Sequence, residues 1–326
     1  MLKKFRSITT ILIVSTLIGI ARSNWIIVWV CLEVNALAIC WIISKDRKIE
    51  KSQESNIFLY YIIQVIASIF LLGAALTQQT TASSTILVFS ILIKIGAWPT
   101  HLWYIKLIRN IEIKQNSILV VITWQKILPI SLVIRIVEKE EIKILLLVIA
   151  ISTLVTPVSN LTANLSLKRI LGVSSFNNNG WLLIARLRSI FSFFTFLFLY
   201  STTLLVTLKR IIKLTTKRIK ITTPFWSSTL VVRNIGGLPP FTIFWAKVIL
   251  VKAAITARIP RELLLLIVIV ACYFLYHYLW ALLNEISWNP KKSQNSLKDK
   301  KQWESIKMIT ATRIVGFILI ITLGLT

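Results

Sequence analysis

The stretch ILVFSILIKIGAWPTHLWYI, residues 86–105, is a long apolar run with two features that an apolar helix does not favour. Lys94 lies near its middle, where a charged amine in a bilayer is costly unless it is paired, hydrated or deprotonated. Gly96 and Pro99 then predict a helix break, because glycine loosens a helix and proline removes a backbone hydrogen bond. Two unfavourable choices so close together suggest a functional site.

The composition of the whole chain predicts a polytopic membrane protein. Hydrophobic residues make up 56% of the 326 residues and charged residues 15%, whereas soluble domains contain about 45–50% apolar and about 25% charged residues. A membrane-spanning helix needs roughly 20 apolar residues, and the chain contains about eleven long apolar runs. They lie near residues 8–22, 25–44, 57–77, 84–105, 115–135, 143–160, 169–186, 189–208, 225–256, 262–286 and 308–325.

Short loops join these runs, which predicts a single all-α membrane domain over all 326 residues. Lys94 and GAWP lie in the fourth run, and GGLPPFTIFWAK (residues 236–247) lies in the ninth. Broken helices at corresponding positions of two halves are typical of repeats around a transport path. The spacing predicts two inverted five-helix repeats, at about residues 8–135 and 143–286, followed by a C-terminal helix at 308–325.

The net charge of +26 does not indicate a nucleic-acid partner, because Lys and Arg lie in short loops and not on one polar domain. Basic loops are instead typical of the inside face of a membrane protein. Eleven spans place the two termini on opposite sides, and the loops on the N-terminal side carry more than twice as many basic residues. The N-terminus is therefore predicted to face the inside compartment.

No motif predicts a cofactor, a metal site or hydrolytic chemistry in this chain. The three cysteines lie in apolar runs without CxxC spacing, which favours small core residues over metal, iron–sulfur or disulfide chemistry. The sequence also lacks GxGxxG, P-loop and HExxH motifs.

Four ionisable residues lie well inside predicted spans, namely Glu33, Lys94, Lys126 and Lys247. Long apolar flanks argue against snorkelling of Lys94 and Lys126 to the membrane surface. The short distance to Lys252 leaves snorkelling open for Lys247. Glu33 has a short side chain and must be paired, hydrated or protonated. Ionisable residues inside a membrane predict a functional site.

Helix-breaking residues lie near each of these lysines: Gly96, Pro99, Pro129, Gly236, Gly237, Pro239 and Pro240. Free backbone groups at such breaks bind water or ions in a protein-lined cavity. Burial favours the neutral form of an ionisable group, and a nearby opposite charge favours the charged form. A buried lysine with a movable acidic partner can therefore hold and release a proton, and the pattern predicts a proton path.

Four motifs carry a resemblance that extends from about Asn24 to about Lys252: LIKIGAWPTHLW, TWQKILP, LKRILGVSSFNNNGW and GGLPPFTIFWAK. In order and spacing they resemble the mitochondrial NADH dehydrogenase subunit 2 family, antiporter-like proton-pumping subunits of the membrane arm of respiratory complex I. The resemblance implies neighbouring antiporter-like subunits as partners. It also implies the mitochondrial inner membrane, with the N-terminus in the matrix and the C-terminus in the intermembrane space. NADH, FMN, iron–sulfur clusters and ubiquinone would belong to other subunits of this proton-translocating NADH:ubiquinone reductase.

The resemblance also implies roles for the buried charges. Glu33 and Lys94 would form a movable ion pair, and Lys126 would relay protons across the middle of the path. Lys247 would exchange protons with the next subunit or with the far side. His101 matches a family histidine just past the helix break, and both packing and proton transfer remain open for it.

The sequence departs from the family pattern at several positions. Asn178 stands where relatives usually carry a histidine. Asparagine does not titrate, so a relay through this point would need water or another group. Trp98 also stands in place of a smaller residue beside the break. His277, in YFLYHYLW, is either a substitute titrating group or a hydrogen-bonded core histidine.

Two basic segments and two other functions remain open. KRIIKLTTKRIK (residues 209–220) is either an ordinary inside loop or an interfacial segment that attracts anionic lipid head groups such as cardiolipin. Residues 288–303 could dock a partner subunit. The alternative functions are a free-standing sodium/proton antiporter and an inert structural linker between pump modules. The antiporter would exchange ions without NADH, and the linker would tolerate loss of its lysines.

Overall fold

The computed structural model describes residues 2–44, 51–77, 81–110, 120–136, 140–159, 167–216, 234, 236–238, 241–256 and 260–287. Over these residues it contains eleven helices and no strand, which confirms the all-α class. In chain order they are α1 (Leu2–Ala21), α2 (Trp25–Ser44), α3 (Lys51–Leu76), α4 (Thr81–Ile95), α5 (Leu102–Asn110), α6 (Trp124–Ile136), α7 (Glu140–Ser159), α8 (Leu167–Arg188), α9 (Ile190–Thr216), α10 (Thr242–Thr256) and α11 (Arg261–Ser287).

Ten of the eleven predicted spans contain one of these helices, and most helix ends lie within a few residues of the predicted ones. The fourth predicted span, 84–105, is divided into α4 and α5. The last predicted span, 308–325, lies outside the described residues, as does the basic segment 288–303. Of the basic segment 209–220, residues 209–216 form the last two turns of α9.

Among the residues that the structure describes, four helical segments are long and apolar enough to cross a membrane: Trp25–Ser44, Glu54–Leu76, Ile190–Lys209 and Arg261–Tyr278. Shorter apolar helices cover Ser7–Ala21, Ala82–Ile95 and Val120–Val133. The last two of these shorter segments contain Lys94 and Lys126. The two helices that carry the buried lysines Lys94 and Lys126 are therefore among the shorter apolar helices.

The chain divides into two compact units. Unit 1 comprises Met1–Pro157 with Leu171–Ile190, and unit 2 comprises Val158–Ile170 with Phe191–Thr326. In unit 1, α1 packs on α2, α2 on α3 and α3 on α4, while α6 contacts α1, α2 and α4. In unit 2, α10 packs on α11. The two inverted repeats, whose boundaries differ from these units, stay a prediction.

The break after α4 follows from Gly96, as the sequence predicts. Gly96 has a φ of +71°, a left-handed conformation that ends many helices. Its N–H donates to the carbonyl of Ile93 at 3.1 Å, and the N–H of Ala97 donates to that of Leu92 at 3.0 Å, which closes the helix end. The Trp98–Pro99 peptide bond that follows is cis. The helix resumes only at Leu102.

The break near Lys126 corrects the sequence prediction. We predicted a break at Pro129, but α6 continues through this residue and the irregular position is Thr123, between helical residues 120–122 and Trp124. Proline disturbs the turn that precedes it, because its ring meets the carbonyl four residues earlier. The N–H of Lys126 accordingly bonds to the carbonyl of Thr123 at 3.3 Å, in a tighter turn than an α-helical one.

The third predicted break lies in unit 2. Gly237 has a φ of +69°, and α10 begins only at Thr242. A methyl group on Gly236 would come within 2.7 Å of the Tyr278 ring. Pro239 and Pro240 lie outside the described residues.

We predict that Gly96→Ala destabilises the protein by about 2–4 kcal/mol, from left-handed strain plus overpacking. The added Cβ would lie 2.7 Å from Cβ of Tyr104. The matched control is Gly73→Ala in α3, whose Cβ would meet nothing within 4 Å. The apparent melting temperature of the detergent-solubilised protein should fall for the first variant only. Equal melting temperatures would contradict this account of the break.

Candidate functional site

Lys94 lies in the last turn of α4 and is 1% exposed, so its amine does not snorkel to a surface of the protein. Its Nζ donates a hydrogen bond of 3.1 Å to the backbone carbonyl of Gln64 in α3. This turn is the C-terminal end of α4, where free carbonyl groups give the helix a partial negative charge. The end of the helix therefore stabilises a positive charge on Lys94.

The helix break leaves the backbone carbonyl of Lys94 without an intrahelical partner, as at any helix C-terminus. Two side-chain amides take its place: Nε2 of Gln64 donates to this oxygen at 3.4 Å, and Nε2 of Gln125 donates at 3.2 Å. All three residues are buried. The break thus joins α3, α4 and α6 through one carbonyl oxygen.

Lys126 lies in the first turn of α6 and is 0% exposed. Its Nζ donates to the hydroxyl of Tyr104 in α5 at 2.6 Å and to the backbone carbonyl of Ser175 in α8 at 3.5 Å. The same Nζ lies 4.5 Å from the centroid of the Tyr104 ring, on the side of the hydroxyl. The Tyr104 hydroxyl in turn donates to Oγ of Ser175 at 3.0 Å.

These contacts form two hydrogen-bonded groups inside unit 1, one around each lysine, which we together call the lysine cluster. Its members are Gln64, Lys94, Tyr104, Gln125, Lys126 and Ser175. Gln125 and Lys126 are adjacent in sequence, so the first turn of α6 connects the surroundings of both lysines. The cluster can hold a proton on either amine while its neighbours supply neutral hydrogen-bond acceptors.

Glu33 lies half-buried in α2, close enough to Lys94 to act on it electrostatically. The two side chains do not form a direct ion pair in this structure, and Oε1 of Glu33 has no hydrogen-bond partner among the described residues. The movable Glu33–Lys94 pair implied by the resemblance stays a prediction.

His101 and Asn178 have different surroundings. The His101 ring stacks on Phe176 with centroids 4.9 Å apart, and its Nδ1 lies 3.1 Å from the carbonyl oxygen of Pro99. These contacts pack His101 against its neighbours, and its role in proton transfer stays a prediction. Asn178 is buried in α8, and neither atom of its amide has a hydrogen-bond partner within the described ranges.

Lys247 and His277 belong to unit 2. Lys247 is half-buried in α10. His277 is half-buried in α11 between two aromatic rings, with centroid distances of 4.4 Å to Tyr273 and 5.6 Å to Tyr276. Its Nε2 has no hydrogen-bond partner in the part of the chain that the structure describes.

The residues that hold the lysines were not predicted from the sequence. Gln64 had a usable signal, because it is a lone amide in the apolar run YYIIQVIASIF. Gln125 and Ser175 lie within the motifs quoted above. Tyr104 had no signal of its own, since a tyrosine in an apolar span is common. Among the described residues, no group of three or more His, Cys, Asp or Glu side chains could hold a metal ion.

The chain matches the model of one protein family, described as NADH:quinone oxidoreductase/Mrp antiporter, TM, over residues 74–274. The chain belongs to this family. The matched range includes Lys94, Lys126 and Lys247 but not Glu33. The lysine cluster is therefore, apart from Gln64, a feature of the antiporter-family region.

Relatives and solved structures agree with this membership. NADH-ubiquinone oxidoreductase chain 2 of Cyprinus carpio is 28% identical over 86% of this chain and 88% of its own. A chain of respiratory complex I from Thermus thermophilus, solved with bound aureothin, has a TM-score of 0.73 at 17% identity, covering 98% of this chain and 79% of its own. A chain of the Mrp complex from Dietzia sp. DQ12-45-1b has a TM-score of 0.70 at 16% identity, covering 84% and 59%. Both solved chains therefore share the fold of this chain.

Replacing Lys126 by methionine should not weaken the fold of this family member. A buried charged group that is replaced by an apolar side chain of similar size often leaves stability unchanged or raises it by about 1–4 kcal/mol. Tyr104 would keep its hydrogen bond to Ser175 in this variant. We expect Lys126→Met to retain or raise the apparent melting temperature in detergent. A marked fall would show that the contacts of the amine stabilise the fold.

Proposed function

We propose that this antiporter-family chain is a proton-translocating subunit of the membrane arm of NADH:quinone oxidoreductase. The observation that carries the proposal is the pair of buried amines, Lys94 and Lys126, whose two hydrogen-bonded groups meet at the adjacent residues Gln125 and Lys126, beside two helix irregularities. Ionisable groups in such positions are costly and mark proton paths in membrane proteins. The relatives named NADH-ubiquinone oxidoreductase chain 2 support the assignment to this oxidoreductase.

In the proposed mechanism, Lys94 accepts a proton when the carboxylate of Glu33 approaches and releases it when the two separate. A nearby opposite charge favours the ammonium form, and burial without that charge favours the neutral amine. Lys126 then carries the proton through the middle of the unit. Lys247 exchanges it with a neighbouring subunit or with the far side of the membrane.

We also propose a membrane location and binding partners for this chain. The chain would lie in the mitochondrial inner membrane, with its N-terminus in the matrix and its C-terminus in the intermembrane space. Its partners would be neighbouring antiporter-like subunits, with anionic lipids such as cardiolipin at its basic segment 209–220. NADH, FMN, iron–sulfur clusters and ubiquinone would be bound by other subunits, so this chain would contribute proton movement to the enzyme and no redox centre.

Native gel electrophoresis tests the assembly. Gently solubilised membranes are stained for NADH oxidation and probed for this chain, which should migrate in the NADH-oxidising band. Migration alone or with unrelated partners would overturn the assignment to the oxidoreductase. In that case the lysine cluster would be the ion site of an independent antiporter.

Lys126→Met should lower the number of protons translocated per electron, or stall turnover, while the complex still assembles. The physical reason is that methionine cannot carry a proton at this point of the path. Proton uptake and NADH oxidation are measured together in sealed vesicles. Lys106→Met is the matched control, because Lys106 is an exposed lysine of α5 in the same unit.

Normal proton yield and turnover in the assembled Lys126→Met complex would remove Lys126 from the path. Such a result would support the inert structural linker. Comparable losses in Lys126→Met and Lys106→Met would point to a general effect of charge removal and would likewise contradict the proposed relay.

A further inference from the structure

The surroundings of Lys126 contain a hydrogen-bond acceptor that the proposed relay does not yet use. Within the described part of the chain, Nζ of Lys126 bonds to the Tyr104 hydroxyl and to the Ser175 carbonyl, and to no carboxylate. Both acceptors are uncharged. The 2.6 Å contact to Tyr104 is the shorter by 0.9 Å, so the phenol is the main partner of this amine.

The direction of each hydrogen bond in this group is fixed by the donors available. Oγ of Ser175 lies 2.8 Å from the carbonyl oxygen of Gly172, which can only accept, so the single Ser175 hydrogen points to it. The Tyr104 hydrogen therefore points to Oγ of Ser175. The lone pairs of the Tyr104 oxygen are then left for Lys126.

This direction suits Lys126 in both of its protonation states. An ammonium group and a neutral amine both carry N–H donors, so either form can donate to the Tyr104 oxygen. The amine can therefore gain and lose a proton without leaving its place.

We propose that Tyr104, held by Ser175, is the positioning residue that keeps the Lys126 amine in place through the proton-transfer cycle. This inference rests on the proposed function and adds a residue to it.

The position of Tyr104 also bears on Asn178, where the sequence departs from the family pattern. Ser175 and Asn178 are three residues apart in α8 and so lie on the same face of this helix. The Tyr104 hydroxyl is thus a polar group near the helix face where relatives usually carry a histidine.

The helix break explains how Tyr104 reaches this place. The N–H of Tyr104 bonds to the carbonyl of His101 at 3.1 Å in the first turn after the break. Its Cβ lies against Gly96, where no side chain larger than hydrogen fits without a shift. The helix break at Gly96 thus leaves the Lys94 carbonyl available to side-chain donors, and it also places the Tyr104 hydroxyl beside the Lys126 amine.

Tyr104→Phe in the assembled complex is the direct test, because it keeps the ring and removes only the hydroxyl. We expect the rate of proton translocation per assembled complex to fall about ten-fold, the effect of losing one hydrogen bond to a charged group. The KM values for NADH and quinone should not change. A merely structural role would lower the amount of assembled complex and leave the rate per complex unchanged, which would overturn the inference.

Ser175 provides a second test with a matched control. Ser175→Ala should lower the proton yield, and Ser175→Thr should restore it, because threonine keeps a hydroxyl for Tyr104. Ser90→Ala is the control, since Ser90 is also buried and also donates to the carbonyl three residues earlier, that of Leu87. Ser90→Ala should pump normally. Equal yields from Ser175→Ala and Ser175→Thr would overturn the inference, including in the case that Tyr104→Phe does not assemble.

Lys126→Met distinguishes a failure of the positioning role of Tyr104 from a failure of the proposed function. Impaired pumping in this variant together with normal pumping in Tyr104→Phe would overturn the positioning role and leave the proposed function intact. Normal pumping in Lys126→Met would overturn both. Impaired pumping in Lys126→Met, Tyr104→Phe and Ser175→Ala, with Ser175→Thr and Ser90→Ala normal, would support both.

Discussion

Two amines buried in an apolar unit must find oxygen acceptors inside the protein, because neither reaches water. An unpaired buried charge is far more costly than a paired one. The acceptors come from three different helices: the Gln64 carbonyl in α3, the Tyr104 hydroxyl in α5 and the Ser175 carbonyl in α8. Since the lysines themselves lie in α4 and α6, this one requirement constrains the relative placement of five helices. The hydrogen bonds of the two buried amines therefore link these five helices.

The helix break at Gly96 serves both lysines. It ends α4 at the turn that carries Lys94, where the partial negative charge of the helix C-terminus favours a positive charge. It also exposes the Lys94 carbonyl to Gln64 and Gln125, and it redirects the chain so that Tyr104 reaches Lys126. A continuous helix would satisfy its own carbonyl groups and provide none of these contacts. The hydrogen bonds of the lysine cluster thus offset the backbone hydrogen bonds that the helix break removes.

The parts of this arrangement that the sequence predicted are local ones. Apolar run length predicted ten of the described helical regions, and a lysine beside a glycine and a proline predicted the break after α4. The partners of Lys126 were not predictable in this way, because Tyr104 and Ser175 lie 22 and 49 residues away in sequence. Periodicity contains no information about such contacts. The prediction of a break at Pro129 was wrong, because α6 continues through this residue and the irregular residue near Lys126 is Thr123.

The state of Glu33 follows from the same energetics. Lys94 donates to a neutral backbone carbonyl, and the half-buried Glu33 carboxylate, close enough to act on it, stands without a direct contact. A permanent buried ion pair would hold its proton too firmly to pass it on, and a permanently separated pair would leave a buried charge uncompensated. A relay needs two arrangements of similar free energy, between which an outside change can shift the population. In the proposed relay, the Gln64 carbonyl would keep one hydrogen bond to the Lys94 amine when the carboxylate moves away, and loss of the proton would remove the uncompensated charge.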